Sequence, residues 1–196
     1  MFEGNILKEN NSLRPSQIRE IFLAKGWSNI IGFHTRNVIH RSHEFLQIEG
    51  LRKSNCDGLL VNPVIGKKKE GDFKQECITK SYQIMMKNFY PKGKVLFSPL
   101  NTYSRYAGPR EALFTAIIRK NYGCSHFIVG GDHTGVKNFY NPNASHDIFN
   151  KFTQEELGII PSSLTKYFIL KRRDAILLKK RMKEILWKFL VPKPEI

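Results

Sequence analysis

Cysteine is scarce in this chain: Cys56, Cys77 and Cys124 are the only three in 196 residues, and no two form a C-x-x-C pair. That spacing excludes a zinc ribbon and a disulfide framework, so no structural zinc is expected and the thiols should be reduced and mostly buried. Long apolar runs are missing as well. No stretch approaches the roughly 18 residues that span a bilayer. The opening Met1-Phe2-Glu3-Gly4-Asn5 carries a carboxylate and lacks the apolar centre of a leader. The expectation is a cytoplasmic protein. Acidic residues are few, 17 against 32 Lys plus Arg, which leaves a net charge of +15. An excess of this size favours anionic partners such as nucleotides, sulfate-like anions, nucleic acid or an acidic membrane. Helix-turn-helix, zinc-finger and aromatic RNP-type patterns are absent, so specific nucleic-acid recognition is not expected.

What is present reads as globular. The chain is 41% hydrophobic, 12% aromatic and 25% charged, which excludes disorder and collagen-like repeats. Its length suffices for a core that needs no staples. The spacing of apolar residues, prolines and glycines predicts helices over 15–25, 40–53, 75–89 and 109–122. Short apolar strands are predicted over 29–33, 58–64, 95–97 and 127–129, and Gly66–Gly71 is a polar loop. Continuous apolar strands separated by helices imply an α/β fold, a Rossmann-like parallel sheet with helices on both faces. Ligands then gather where strands end, after Phe33, Val64, Phe97 and Val129.

Residues 1–165 form the expected catalytic domain, and 166–196 a basic amphipathic tail. Between Lys166 and Ile196 ten basic residues face three acidic ones, nearly half of the net charge. Leu178, Met182, Ile185, Leu186 and Phe189 would form one helical stripe, with Lys179, Lys180, Arg181 and Lys183 opposite. Such a helix either docks on the core with a solvated basic face or meets an acidic partner.

Three strand exits carry chemistry-bearing residues. The first is His34-Thr35-Arg36-Asn37, followed by His40 and His43. Three residues apart, these two histidines share a helix face within the first turn, where free backbone N–H groups already favour phosphate. Two imidazoles there can donate to polyphosphate oxygens and stabilise charge on a departing pyrophosphate. Metal binding by the pair competes with this reading, as does a pair of plain surface histidines. Arg36 can grip an oxyanion with two parallel hydrogen bonds. The second cluster is Ser104-Arg105-Tyr106-Ala107-Gly108-Pro109-Arg110-Glu111-Ala112, in which two arginines bracket a glycine–proline helix start. The third is Gly130-Gly131-Asp132-His133-Thr134-Gly135, suited to close passage of a nucleotide.

Together these segments resemble the ATP sulfurylases (sulfate adenylyltransferases), nucleotidyltransferases with an H-x-x-H phosphate site. The family stretch Q-T-R-N-P-x-H-R-x-H-E is similar to His34–Glu44, R-Y-A-G-P-R-E-A to Arg105–Ala112, and I-R-K-N-x-G-C-x-H-F-I-V-G-R-D-H-A-G to Ile118–Gly135. The resemblance runs in order from about Arg14 to Ile160. It implies an enzyme that binds ATP with magnesium, in which a sulfate oxygen attacks the α-phosphorus in line, releasing pyrophosphate and adenosine 5′-phosphosulfate. By position it implies Thr35, Arg36, Asn37, His40 and His43 as catalytic residues. Substrate or nucleotide binding would fall to His34, Arg36, Arg105, Gly130, Gly131, Asp132, His133 and Thr134, with no protein metal site. The departures are His34 for the family's Gln, Gly131 for its Arg and Thr134 for its Ala. The family's N-terminal PUA-like domain is expected to be missing, and Ser162-Ser163-Leu164-Thr165-Lys166 poorly matches its later phosphate-binding stretch. A different anionic acceptor, or a degenerate nucleotide-binding paralogue, therefore stays open, as does a homo-oligomer.

Overall fold

Neighbouring residues of a strand point to opposite faces of a sheet, and here both directions are apolar. In the computed structural model, which describes residues 12–130, 139–141 and 143–163, this yields two cores. Ile30, Leu60, Leu96, Phe127 and Val129 face one side, where they meet Ile18 and Phe22 of α1 (Pro15–Ala24) and Ala112 and Ala116 of α4 (Pro109–Asn121). Ile31, Phe33, Leu59, Val61, Val95, Phe97 and Ile128 face the other, against Ile78, Tyr82 and Met85 of α3 (Gln75–Asn88) and Leu46 and Leu51 of α2 (Arg41–Lys53). Burial on two sides makes the strands uniformly apolar. Each fully buried Ile, Leu or Phe contributes about 1.5–3 kcal/mol.

The strands are β1 (Ile30–Phe33), β2 (Gly58–Val61), β3 (Val95–Phe97), β4 (His126–Val129) and β5 (Ile160–Ser163). They form one all-parallel sheet in the order β3-β2-β1-β4-β5. The chain builds outward from β1 through β2 to β3, then returns to add β4 and β5 on the other side. The order reverses between β1 and β4, which opens a crevice at the carboxyl ends of those two strands.

The expected elements lie within a few residues of those observed. The strand predicted over 58–64 ends at Val61, because Asn62 turns the chain into Pro63; beyond it Val64 makes a lone parallel bridge to Leu100. The predicted helix over 40–53 begins at Arg41, with His40 as its extended N-cap. On α4 the expected apolar face of Ala112, Leu113, Ala116 and Ile117 is rotated: Ile117 is 41% exposed, while Glu111, Thr115 and Arg119 are buried. Cys77 is exposed rather than buried. The short helices α5 (Ala144–Asp147) and α6 (Gln154–Leu157), and strand β5, were not expected. Pro161 sits in β5 beside Phe127, a position tolerated because β5 is the edge strand, with one side unpaired, among the described residues. Among the described residues no helix is long and apolar enough to cross a membrane. The tail 166–196 lies outside the described residues.

Candidate functional site

At the exit of β1 the chain turns sharply. Thr35 is buried, its backbone carbonyl accepting from Val64 N–H at 2.8 Å and its hydroxyl from Asn37 N–H at 3.1 Å. Ile39 N–H then donates to the buried Ser81 hydroxyl of α3 at 3.2 Å. These bonds anchor both ends of the 34–39 turn, so its side chains are aimed by the sheet and by α3.

His40 at the N-cap of α2 and His43 one turn further stack, ring centroids 3.7 Å apart and planes 26° from parallel. Phe33 at the end of β1 meets the His43 ring edge-on at 5.3 Å. The Nδ1 of His43 is buried and makes no hydrogen bond among the described residues. Burial first, and the adjacent His40 second, push the His43 imidazole down to about 3, against an opposing pull from the Val38 backbone. The ring is therefore neutral at pH 7 and accepts a proton readily only when an anion is placed beside it. The helix start adds free N–H groups and the positive end of the α2 dipole.

Arg36 turns elsewhere. Its guanidinium lies over the Tyr106 ring at 4.7 Å and faces Asp72 Oδ1 from Nη1 at 3.7 Å. Lys69 lies over the same ring at 5.1 Å, and the Tyr106 hydroxyl donates to Asp72 Oδ2 at 3.0 Å. These residues wall a cavity of about 470 Å³, together with Lys67, Lys68, Val64, Tyr103 and Ser104. Lys68 Nζ donates to Val64 carbonyl at 2.6 Å, and burial lowers its pKa. The Ser104 hydroxyl is buried with no partner among the described residues. His40 and His43 do not line this cavity, so the fold provides two features, a stacked imidazole pair and a cation-lined hollow.

The second cluster is held together by a buried carboxylate. Gly108, at φ +54, bends the chain into α4 with its Cα packed against the Tyr140 ring, where a side chain has no room. The carboxylate of Glu111, 2% exposed, turns back and accepts from Arg105 N–H at 2.9 Å and Ala107 N–H at 3.1 Å. Tyr106, between those two donors, adopts a positive φ of 56°. Glu111 thus holds the turn that presents Tyr106 to Arg36. Arg105, expected to bind nucleotide, is exposed and stacks over Tyr103 and Phe114 at 4.6 and 4.5 Å.

Beneath the crevice lies Arg119, fully buried and without a carboxylate partner among the described residues. It donates to the Asn62 carbonyl at 2.5 Å and to Thr115 carbonyl at 3.5 Å, and burial lowers it to about 10. The same burial pushes the neighbouring Cys124 thiol up to about 12, so that thiol is inert. Gly32 makes room for Arg119: a Cβ there would lie 2.7 Å from Arg119 Cγ. Of the third cluster, Gly130 follows β4 directly, while Gly131, Asp132, His133 and Thr134 lie outside the described residues. Asp72 and Arg119 escaped the sequence reading, the Lys67–Lys69 run was placed there only in a polar loop, and Tyr106 and Glu111 stood in the second cluster without a role. Arg119 and Glu111 were detectable as polar residues sharing the helical face of Ala112 and Ala116.

Among the described residues no three His, Cys, Asp or Glu side chains converge on a metal-sized point. Imidazoles, lysines and a guanidinium suit anions, not a protein-held magnesium ion, whose preferred ligands are oxygens.

A doubly wound parallel sheet with an imidazole pair after β1 and a cation-lined hollow at the exits of β1 and β2 defines a Rossmann-like α/β protein carrying an H-x-x-H pair. A solved structure, "Hexameric APS kinase from Thiobacillus denitrificans", shares this fold with a TM-score of 0.60 at 22% identity, over 78% of this chain and 27% of that one. The family model for ATP-sulfurylase matches residues 9–185, and the chain belongs to that family. Sulfate adenylyltransferase from Pyrococcus abyssi is 45% identical over 161 residues, covering 82% of this chain and 41% of the relative. Those of a Synechococcus strain and of Ignicoccus hospitalis are 48% and 47% identical over 75% and 84% of this chain. This chain spans about two fifths of the length of these relatives.

Proposed function

We propose that this chain is the catalytic core of a sulfate adenylyltransferase, joining sulfate to the α-phosphorus of ATP with release of pyrophosphate. The carrying observation is the stacked His40–His43 pair at the start of α2, beside the switch point. In this reading the triphosphate lies over the start of α2. His40 and His43 donate to its oxygens, and His43 takes up a proton as charge builds on the leaving pyrophosphate. Arg36 faces the sulfate from the cavity wall, with Lys68 and Lys69 adding positive charge. Thr35 and Asn37 hold the turn, while Gly130, Gly131, Asp132, His133 and Thr134 after β4 meet the nucleotide. No side chain acts as nucleophile, so positioning and charge neutralisation supply the rate. The substrate is the magnesium complex of ATP, in which the metal offsets polyphosphate charge.

The test is pyrophosphate release from ATP, magnesium and sulfate by the purified chain. His43→Ala should lower kcat about a hundredfold, the usual effect of deleting one donor to developing charge. Absence of release at saturating sulfate, or full activity in His43→Ala, refutes the proposal. The run Lys67-Lys68-Lys69 on the cavity wall favours a second reading, a bulkier or more highly charged acceptor such as a phosphate ester. Selective turnover with sulfate across an acceptor screen removes it.

A further inference from the structure

The cavity that holds Arg36 already contains an anion of its own. Asp72 is 18% exposed and sits among Arg36, Lys67, Lys68 and Lys69. Its two oxygens have different partners: Oδ2 accepts the Tyr106 hydroxyl at 3.0 Å and the Lys69 backbone N–H at 3.2 Å, while Oδ1 faces Arg36 Nη1 at 3.7 Å. The second separation is longer than a hydrogen bond, which at its best lies near 2.9 Å. Arg36 is thus steadied by the flat face of Tyr106 at 4.7 Å, and its N–H edge is attracted by Asp72 without being locked to it. The buried Ser104 hydroxyl on the same wall, which has no partner among the described residues, is a further donor.

From this geometry we infer that Asp72 is an internal counter-anion, which sits at the Arg36 edge and which the acceptor oxyanion must displace. The inference rests on the reading of Arg36 as the acceptor's ligand. The Tyr106 hydroxyl and the Lys69 N–H both anchor the carboxylate through Oδ2, so Asp72 can release Arg36 without leaving the cavity. The cost of displacement then sets the affinity for the acceptor: the carboxylate keeps the cationic hollow from collecting weakly bound anions, and an oxyanion that satisfies Arg36, Lys68 and Lys69 together offsets the loss. Asp72 acts through Arg36 and is a specificity-setting residue, not a catalytic one.

The sign of a single substitution separates competition from support. Asp72→Asn keeps the shape and an acceptor for the Tyr106 hydroxyl but removes the charge. Calorimetric titration of the full chain with sodium sulfate should show binding about two- to fivefold tighter in Asp72→Asn, the range expected when a partly exposed ion pair stops competing. Sulfate KM should fall by the same factor while kcat stays near the wild-type value, and Asp72→Glu should restore the weaker affinity. A residue that only props up Arg36 gives the opposite: unchanged or weaker binding in Asp72→Asn overturns the inference. Should that variant not fold, carboxyl carbon NMR of the labelled wild type answers the same question. Sulfate should shift the Asp72 resonance, and an unmoved resonance overturns the inference. If the wild type binds no sulfate at all, the functional reading falls and takes this one with it. If it binds sulfate and loses it in Arg36→Gln, yet Asp72→Asn binds no better, the inference alone fails.

Discussion

Acid should unfold this protein through His43, and the size of the effect follows from its surroundings. In the unfolded chain this imidazole titrates near 6.5, whereas in the folded protein burial and His40 hold it at about 3. Between those values the unfolded state carries a proton that the folded state refuses, so stability falls as the pH drops. The loss is negligible above about pH 6.5 and grows by about 1.4 kcal/mol per pH unit below it. At pH 5 it reaches at most about 2 kcal/mol, or a fall in melting temperature of roughly 4–8 °C for a chain of this size. The assay is thermal unfolding at pH 7 and pH 5 for wild type and His43→Gln. His126 and His146 are also lowered by burial, but they remain in both proteins and cancel in the difference. The wild type should lose more stability than His43→Gln on acidification, and equal losses would falsify the reasoning. His40→Gln refines it: the neighbouring ring is gone while burial persists, so the excess loss should shrink without vanishing. Pyrophosphate, which favours the imidazolium, should restore part of the lost stability at pH 5 in the wild type only.

Gly32→Ala should destabilise the fold by about 1–3 kcal/mol, the usual penalty for overpacking, because the new methyl would press on the buried stem of Arg119. Urea unfolding measures this, and an unchanged midpoint refutes the packing argument. Glu111→Gln leaves one acceptor where Arg105 and Ala107 N–H groups now share two, so the turn bearing Tyr106 should loosen at a cost of about 1–3 kcal/mol. Hydrogen exchange at those two amides should quicken; unaltered protection shows that the carboxylate does not hold the turn.

Four of the five strands were legible because each is buried on both faces and is therefore apolar at nearly every position, the half-buried His126 at the start of β4 excepted: Ile30 to Phe33 and Leu59 to Val61 admit no other explanation as readily. Strand β5 was not, since Ile160-Pro161-Ser162-Ser163 lies on an edge, where one side needs no partner and no uniform apolar code. The α4 face was misjudged for a related reason. Apolar spacing pointed to Ile117, but the helix turns Arg119, Thr115 and Glu111 inward, because each meets backbone carbonyls or amides that an apolar side chain would leave unsatisfied.

The candidate site divides along the same line. His40 and His43 could be paired by counting, as a helix brings residues three apart together whatever surrounds it, and the exit of a parallel strand is a ligand position by geometry alone. The union of Arg36 with Asp72 and Tyr106 could not be counted. It joins the exits of β1 and β2 to the start of α4, segments more than thirty residues apart, and only the strand order brings them to one end of the sheet. Local periodicity is written into the chain because it follows from the backbone's own repeat. Which distant loops share a hollow depends on how two layers of helices close over the sheet, and that is an outcome of packing the whole molecule.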